Sequence, residues 1–237
     1  MMAEREGLCG LSFTNGSPWV TATRSAGARV MSTNPISFTA PGCQGDSMVL
    51  DMATSCVAVG KLEVAAVNGQ DIPAGWAVDG GGHVTTDPRR AMREGAGLPL
   101  GGQEETGGYK GYGLALMVEI LCGVMSGGNW GPNIRLWGRS DQPGGLSHCF
   151  LALDPSVCTE NFSDRLQDLM NTFRDLDPAD QNKPVLIPGD PERTRERHVS
   201  ELGGVRYSGA QYHRFTQFSD KFGVSPPPVL QTAIIKD

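Results

Sequence analysis

A chain of 237 residues with 39% apolar residues and a net charge of -6 has the size and composition of a globular protein with a substantial core. Its acidic balance, with a pI near 5.2, argues against nucleic acid or anionic lipid as the main partner, and a small anionic ligand would need a locally basic pocket. No apolar run approaches the roughly 20 residues that span a bilayer, and the first residues lack the apolar stretch of a secretory signal, so a cytoplasmic location is expected.

Residues 1–6 are polar and read as a frayed end or a short helix remnant. Residues 8–15 alternate as a half-buried strand does, and Gly16-Ser17-Pro18 closes them. Residues 36–40 repeat the alternation, and residues 48–52 form a short apolar strand whose end carries one carboxylate, Asp51. Residues 55–68 suit a helix stopped by Asn68-Gly69. A stretch with little periodicity follows, bracketed by Gly80-Gly81-Gly82 and Gly101-Gly102 and read as loop.

Residues 113–125 are apolar nearly all round, which predicts a centrally buried helix. Residues 146–153 read as a strand, and an amphipathic helix begins at Asn161, with Leu166, Leu169, Met170 and Phe173 at helical spacing. Residues 185–187 read as a short strand, 192–202 as a charged surface helix, and 208–222 as a last helix with Phe215, Phe218 and Phe222 on one face. Pro226-Pro227-Pro228 opens an extended or disordered tail. Strands alternating with helices predict an α/β architecture with a mixed sheet flanked by helices.

The six cysteines, Cys9, Cys43, Cys56, Cys122, Cys149 and Cys158, are scattered singly, with no Cys-x-x-Cys pair and no histidines at metal-ligand spacing. Buried reduced thiols are therefore expected, and no metal site.

Gly107-Gly108-Tyr109-Lys110-Gly111-Tyr112-Gly113 runs directly into the apolar helix. A glycine turn that presents backbone N–H groups at a helix start beside a lysine is an anion-binding device. The same residues would also serve as a tight connection into a buried helix. A Gly-x-Gly-x-x-Gly fingerprint after a first strand, with an acidic residue about 20 positions on, does not occur.

Seven segments decide between these readings: Ser32-Thr33-Asn34-Pro35-Ile36-Ser37, Val49 to Ser55, Ile72 to Ala77, Thr85 to Pro88, the Lys110-Gly111-Tyr112-Gly113 turn, Phe150 to Pro155, and Leu186 to Glu192. In this order and spacing the chain resembles the malate/L-lactate dehydrogenase family of the non-Rossmann type, which includes ureidoglycolate and sulfolactate dehydrogenases. The resemblance implies a non-Rossmann NAD(P)-binding fold. It also implies hydride transfer between C2 of a small 2-hydroxy acid and the nicotinamide of NAD or NADP, and a homodimer. Cofactor contacts would fall on Gly16, on Leu50, Asp51, Met52 and Ala53, on Lys110, and on Gly189, Asp190 and Pro191, while Thr33, Asn34 and Pro35 would wall the nicotinamide pocket. The domains expected are a cofactor-binding domain over residues 1–184, a C-terminal segment over 185–228 and a tail over 229–237.

This chain departs from the family pattern at three places. Gly16 stands where the family commonly has serine or threonine. Tyr109 replaces a histidine, and Gln103-Glu104-Glu105-Thr106 intervenes before the glycines, which sets two carboxylates beside the supposed anion site. The family's proton-transferring histidine belongs to a region that would precede residue 1, so the chain reads as N-terminally truncated with no catalytic residue of its own. His83, His148, His198 and His213 match no such position. The alternative reading is a truncated, inactive cofactor-binding or dimerisation module.

Overall fold

The computed structural model describes residues 2–139, 141–207 and 209–229. Its contacts divide the chain into a large unit, Met1–Gly189, and a small one, Asp190–Asp237.

The large unit is built on a four-stranded antiparallel sheet, β1 (Cys9–Thr14), β2 (Ile36–Pro41), β3 (Ser47–Met52) and β7 (His148–Leu153), in the order β3-β2-β1-β7. Register sets what each face carries, because cross-strand partners point the same way. Phe13 pairs with Ile36 on one side and Cys149 on the other, whereas Ser12 pairs with Ser37 and Phe150, and Ser37 with Asp51. The Phe13 face is therefore apolar and packs on Val118, Leu121 and Cys122. The Ser12 face is polar. A short helix α1 (Met2–Arg5) crosses one end of it, where a Cβ on Gly10 would stand 3.0 Å from that of Ala3.

A second, three-stranded sheet of β4 (Ala77–Val78), β5 (Val84–Thr85) and β6 (Ala96–Gly97) runs in the order β5-β4-β6. Helices α2 (Val59–Val67) and α3 (Pro88–Glu94) pack around it over a core that includes Trp19, Val20, Leu62 and Ile72. Helix α3 lies where weak periodicity suggested loop. Its signals are local and short: Pro88 opens the first turn, and the Asp87 carboxylate accepts from the N–H groups of Arg89 (2.8 Å) and Arg90 (3.1 Å). Arg29 closes its other end, donating to Met92 O (2.6 Å) and Gly95 O (2.7 Å).

The long apolar segment forms α4 (Gly108–Glu119) and continues as a π-helical turn, Ile120–Val124. It is not buried all round. Val118 and Cys122 are fully enclosed, but Ile120 and Val124 remain about half exposed, because only one stripe of the helix meets the sheet. Helix α5 (Phe162–Arg174) buries Met170 and is tied to the β2–β3 turn. Arg174 grips the Asp46 carboxylate at 2.6 and 3.2 Å, and Gln167 donates to it at 2.9 Å. That pairing, with Arg174 the main cause, lowers the Asp46 carboxyl to about 2. Residues 185–187 form no strand; the neighbouring Pro188 carbonyl accepts one bond from the Val49 N–H at 3.0 Å. All six cysteines are free thiols, but only Cys9 and Cys122 are buried and Cys158 is exposed, so burial was over-predicted.

The small unit holds α6 (Asp190–Leu202), which buries no residue, and α7 (Gly209–Phe222). Phe218 and Phe222 stack at 6.3 Å on one face of α7, and both stay exposed. Ser208, expected to start that helix, and residues 230–237 of the expected tail lie outside the described residues.

Candidate cofactor site

At the end of the polar sheet face not covered by α1, an open cleft of about 320 Å³ is lined by Ser12, Thr14, Pro35, Ser37, Asp51, His148 and Phe150, among others. Three hydroxyls, one exposed carboxylate and a pair of stacked rings converge there. The His148 and Phe150 centroids are 5.9 Å apart at 27°. Among the described residues no lysine or arginine lines the cleft.

Behind the cleft lies a buried polar network centred on Glu119, the last residue of α4. One carboxylate oxygen accepts from Asn34 Nδ2 at 2.9 Å, and the other from Asn15 Nδ2 at 3.2 Å and the Gly131 N–H at 3.1 Å. Asn15 in turn donates to Asn129 O (3.0 Å) and accepts from the Ser147 N–H (2.9 Å). Asn34 adds a bond to Ala115 O (3.1 Å) and adopts a left-handed backbone, φ 35°. Asparagine tolerates that conformation better than most residues.

The structure brings some predicted residues together. Asp51 projects into the cleft from β3, with Leu50 and Met52 half-buried beside it. After Ala53, the buried Thr54 hydroxyl donates to Thr33 O (3.1 Å) and Asn34 O (3.0 Å), which clamps the Asp-Met-Ala segment to Thr33-Asn34-Pro35. Of that wall only Pro35 reaches the cleft, since the Asn34 amide is turned inward to Glu119. Gly16 follows Asn15, and a Cβ built on it would stand 2.7 Å from Ser32 Oγ, so the space beside Gly16 already holds a hydroxyl.

Lys110 stands apart from the cleft. Lys110 is exposed in the first turn of α4, its Nζ 5.8 Å from the Tyr109 ring centre, and does not line the cleft. The glycines around it meet steric needs. Gly107 has φ +99°, and a Cβ on Gly108 or Gly111 would overlap the carbonyl oxygen of Gly102 or Leu100. Two amides of the turn are already engaged, Gly108 N–H with Gln103 O (2.7 Å) and Lys110 N–H with Gly107 O (2.9 Å). Glu104 is paired rather than loose, held by Arg24 at 2.6 and 2.7 Å, which lowers its carboxyl below the usual range. Gly189 closes the large unit at φ +103°, and Asp190 and Pro191 open α6, where Asp190 pairs with Arg193 at 2.7 Å.

Reading the strands alone missed Ser12, Ser37, Phe150 and His148 as one site with Asp51. Alternation places each on a face, but only register brings the faces into line. Glu119 was missed because it reads as a lone charge in an apolar helix. Among the described residues no cluster of three or more histidine, cysteine, aspartate or glutamate side chains suits a metal ion, and no helix is long and apolar enough to cross a membrane.

The family model described as malate/L-lactate dehydrogenase matches residues 1–215. The chain belongs to this family. It is 40% identical over 193 residues to a malate dehydrogenase of Pyrococcus abyssi, covering 80% of this chain and 52% of that protein. It is also 35% identical over 207 residues to a Delta(1)-pyrroline-2-carboxylate/Delta(1)-piperideine-2-carboxylate reductase of Pseudomonas putida, covering 84% and 55%. Among solved structures, malate dehydrogenase from Pyrococcus horikoshii OT3 superposes with a TM-score of 0.81 at 30% identity, over 95% of this chain and 61% of that one. Sulfolactate dehydrogenase from Methanocaldococcus jannaschii gives 0.79 at 28%, over 94% and 62%. The mixed α/β fold expected from the resemblance is therefore the fold of these enzymes. The chain spans about half the length of the curated relatives it matches.

Proposed function

We propose that this chain forms the cofactor-holding part of a nicotinamide-dependent oxidoreductase that interconverts a small 2-hydroxy acid and its 2-oxo acid. The observation that carries the reading is the cleft, whose donor set fits a nucleoside half of NAD or NADP. Asp51 can accept from a ribose diol, Ser12, Thr14 and Ser37 supply hydroxyls around it, and His148 and Phe150 offer ring faces for a base. When bound, the nicotinamide supplies the two-electron acceptor, and the chain binds and orients it. By family resemblance Gly16, Leu50, Met52, Ala53, Lys110, Gly189, Asp190 and Pro191 complete the cofactor contacts. A cytoplasmic homodimer belongs to the same proposal, supported for self-association by the exposed apolar side of α4.

Titration calorimetry with NADH and NADPH tests this. A charge-assisted hydrogen bond is worth about 1.5–3 kcal/mol, so Asp51→Ala is expected to weaken binding roughly tenfold to a hundredfold. No binding by the unmutated chain, or equal affinity in Asp51→Ala, would remove the cleft from the cofactor site.

Among the described residues the cleft lining holds no lysine or arginine, which favours a second reading. A 2-hydroxy acid carries a carboxylate that calls for a cation, so the chain by itself would bind cofactor without turning over substrate. NADH binding with no malate or lactate oxidation separates this module from a working enzyme.

A further inference from the structure

Glu119 is a buried carboxylate with no place in the proposed chemistry, and its three hydrogen-bond donors come from three separate stretches of chain. Asn15 follows β1, Asn34 precedes β2, and Gly131 ends the connection that leaves the helix. Each asparagine sits beside a cleft residue. Asn15 adjoins Thr14, Asn34 adjoins Pro35, and Ser147, whose N–H Asn15 holds, adjoins His148. The winding changes from α to π directly after Glu119, a distortion often found where a helix serves a site.

We propose that Glu119 is a positioning residue for the cleft. By holding Asn15 and Asn34 together from beneath, it fixes the strand ends that carry Thr14, Pro35 and His148, and so sets affinity for the nicotinamide dinucleotide without touching it. This rests on the cofactor reading of the cleft. A buried carboxylate suits the task because its two oxygens accept several N–H groups at once, whereas a glutamine in the same place turns one acceptor into a donor. Whichever way that amide is oriented, an N–H group faces Asn34 on one side or Asn15 and Gly131 on the other.

The test compares Glu119→Gln and Glu119→Met with Met170→Ala, which removes a buried side chain on α5 away from the network. For each, the melting temperature is measured, then the Kd for NADH by fluorescence titration well below it, together with amide resonances of Thr14, Ser37 and His148. Both Glu119 variants are expected to raise Kd by about tenfold or more and to shift those resonances. Met170→Ala lowers the melting temperature but leaves Kd within twofold, because the folded cleft is unchanged. Should neither Glu119 variant fold, Asn15→Ser, which removes a single arm, carries the same expectation. A folded Glu119→Met with Kd within twofold of the unmutated chain overturns the proposal. If the unmutated chain itself fails to bind NADH, the cofactor reading falls, and the resonances alone decide: unshifted signals in the Glu119 variants overturn the positioning role as well.

Discussion

At the residue scale, Gly16 sits directly against the Ser32 side chain. A side chain at 16 would place its Cβ 2.7 Å from Ser32 Oγ and 3.2 Å from Ser32 Cβ, tighter than packing allows. Gly16→Ala is therefore expected to destabilise the fold by about 1 kcal/mol, and less than half as much when Ser32→Gly is also present. Urea unfolding of the four proteins in the cycle gives the coupling; strict additivity would show that the two positions do not compete for space. Neither serine nor glycine advertises this in sequence, where the residues are separated by the loop that folds Trp19 into the core. Asp51 was legible as a lone carboxylate at a strand end. Glu119 was not, because burial and its two asparagine partners arise only when β1 and β2 meet α4.

At the element scale, the Asp46 carboxylate ties helix α5 to the β2–β3 turn. Asp46 is paired with Arg174 and lowered to about 2 from the ordinary 3.8, so its pairing stabilises the fold at any pH above the unfolded value and is lost as pH falls from about 4 towards 2. Both side chains are about a quarter exposed, which screens part of the interaction. Arg174→Ala is thus expected to cost about 1–2 kcal/mol near neutral pH, with the gap to the unmutated chain closing below about pH 4. Thermal unfolding at pH 7, 4 and 2.5 follows it, and a gap that does not shrink with acid would mean that Arg174 acts through packing alone. The amphipathic spacing of Leu166, Met170 and Phe173 announced this helix, but its anchoring residue on the β2–β3 turn is more than a hundred residues away. Helix α3 shows the reverse. Its cap, Asp87-Pro88, was in plain view, yet at seven residues it is too short to produce a periodic signal.

At the scale of the whole molecule, apolar surface points to association. Leu116, Ile120 and Val124 lie along the outer side of α4 and its π turn, 39–55% exposed, and β7 is an edge strand with Phe150 72% exposed. Contiguous apolar surface and an unpaired strand edge both favour contacts with another chain. Light scattering at micromolar concentration is expected to show species larger than a monomer, and Leu116→Glu with Ile120→Glu to shift them towards one. A monodisperse monomer of the unmutated chain, unfolding cooperatively, would contradict this.

The sequence by itself determined the family, through seven motifs in order, and with it the mixed α/β architecture and the four main strands to within two residues at either end. Periodicity and turn chemistry are local, so they survive in a linear reading. Tertiary structure decided which of those residues share a site. A strand tells which side chains alternate, but the register of β1 with β2 and β7 is set by the packing of Phe13, Ile36 and Cys149 on α4 and its π turn, and that register, with the pairing of β2 and β3, places Ser12, Ser37, Asp51 and Phe150 in one row. It also showed a packing need in the glycine turn, where a Cβ on residue 108 or 111 would meet the backbone of residues 100–103. Close approach is a property of two segments at once, and only the folded chain holds both.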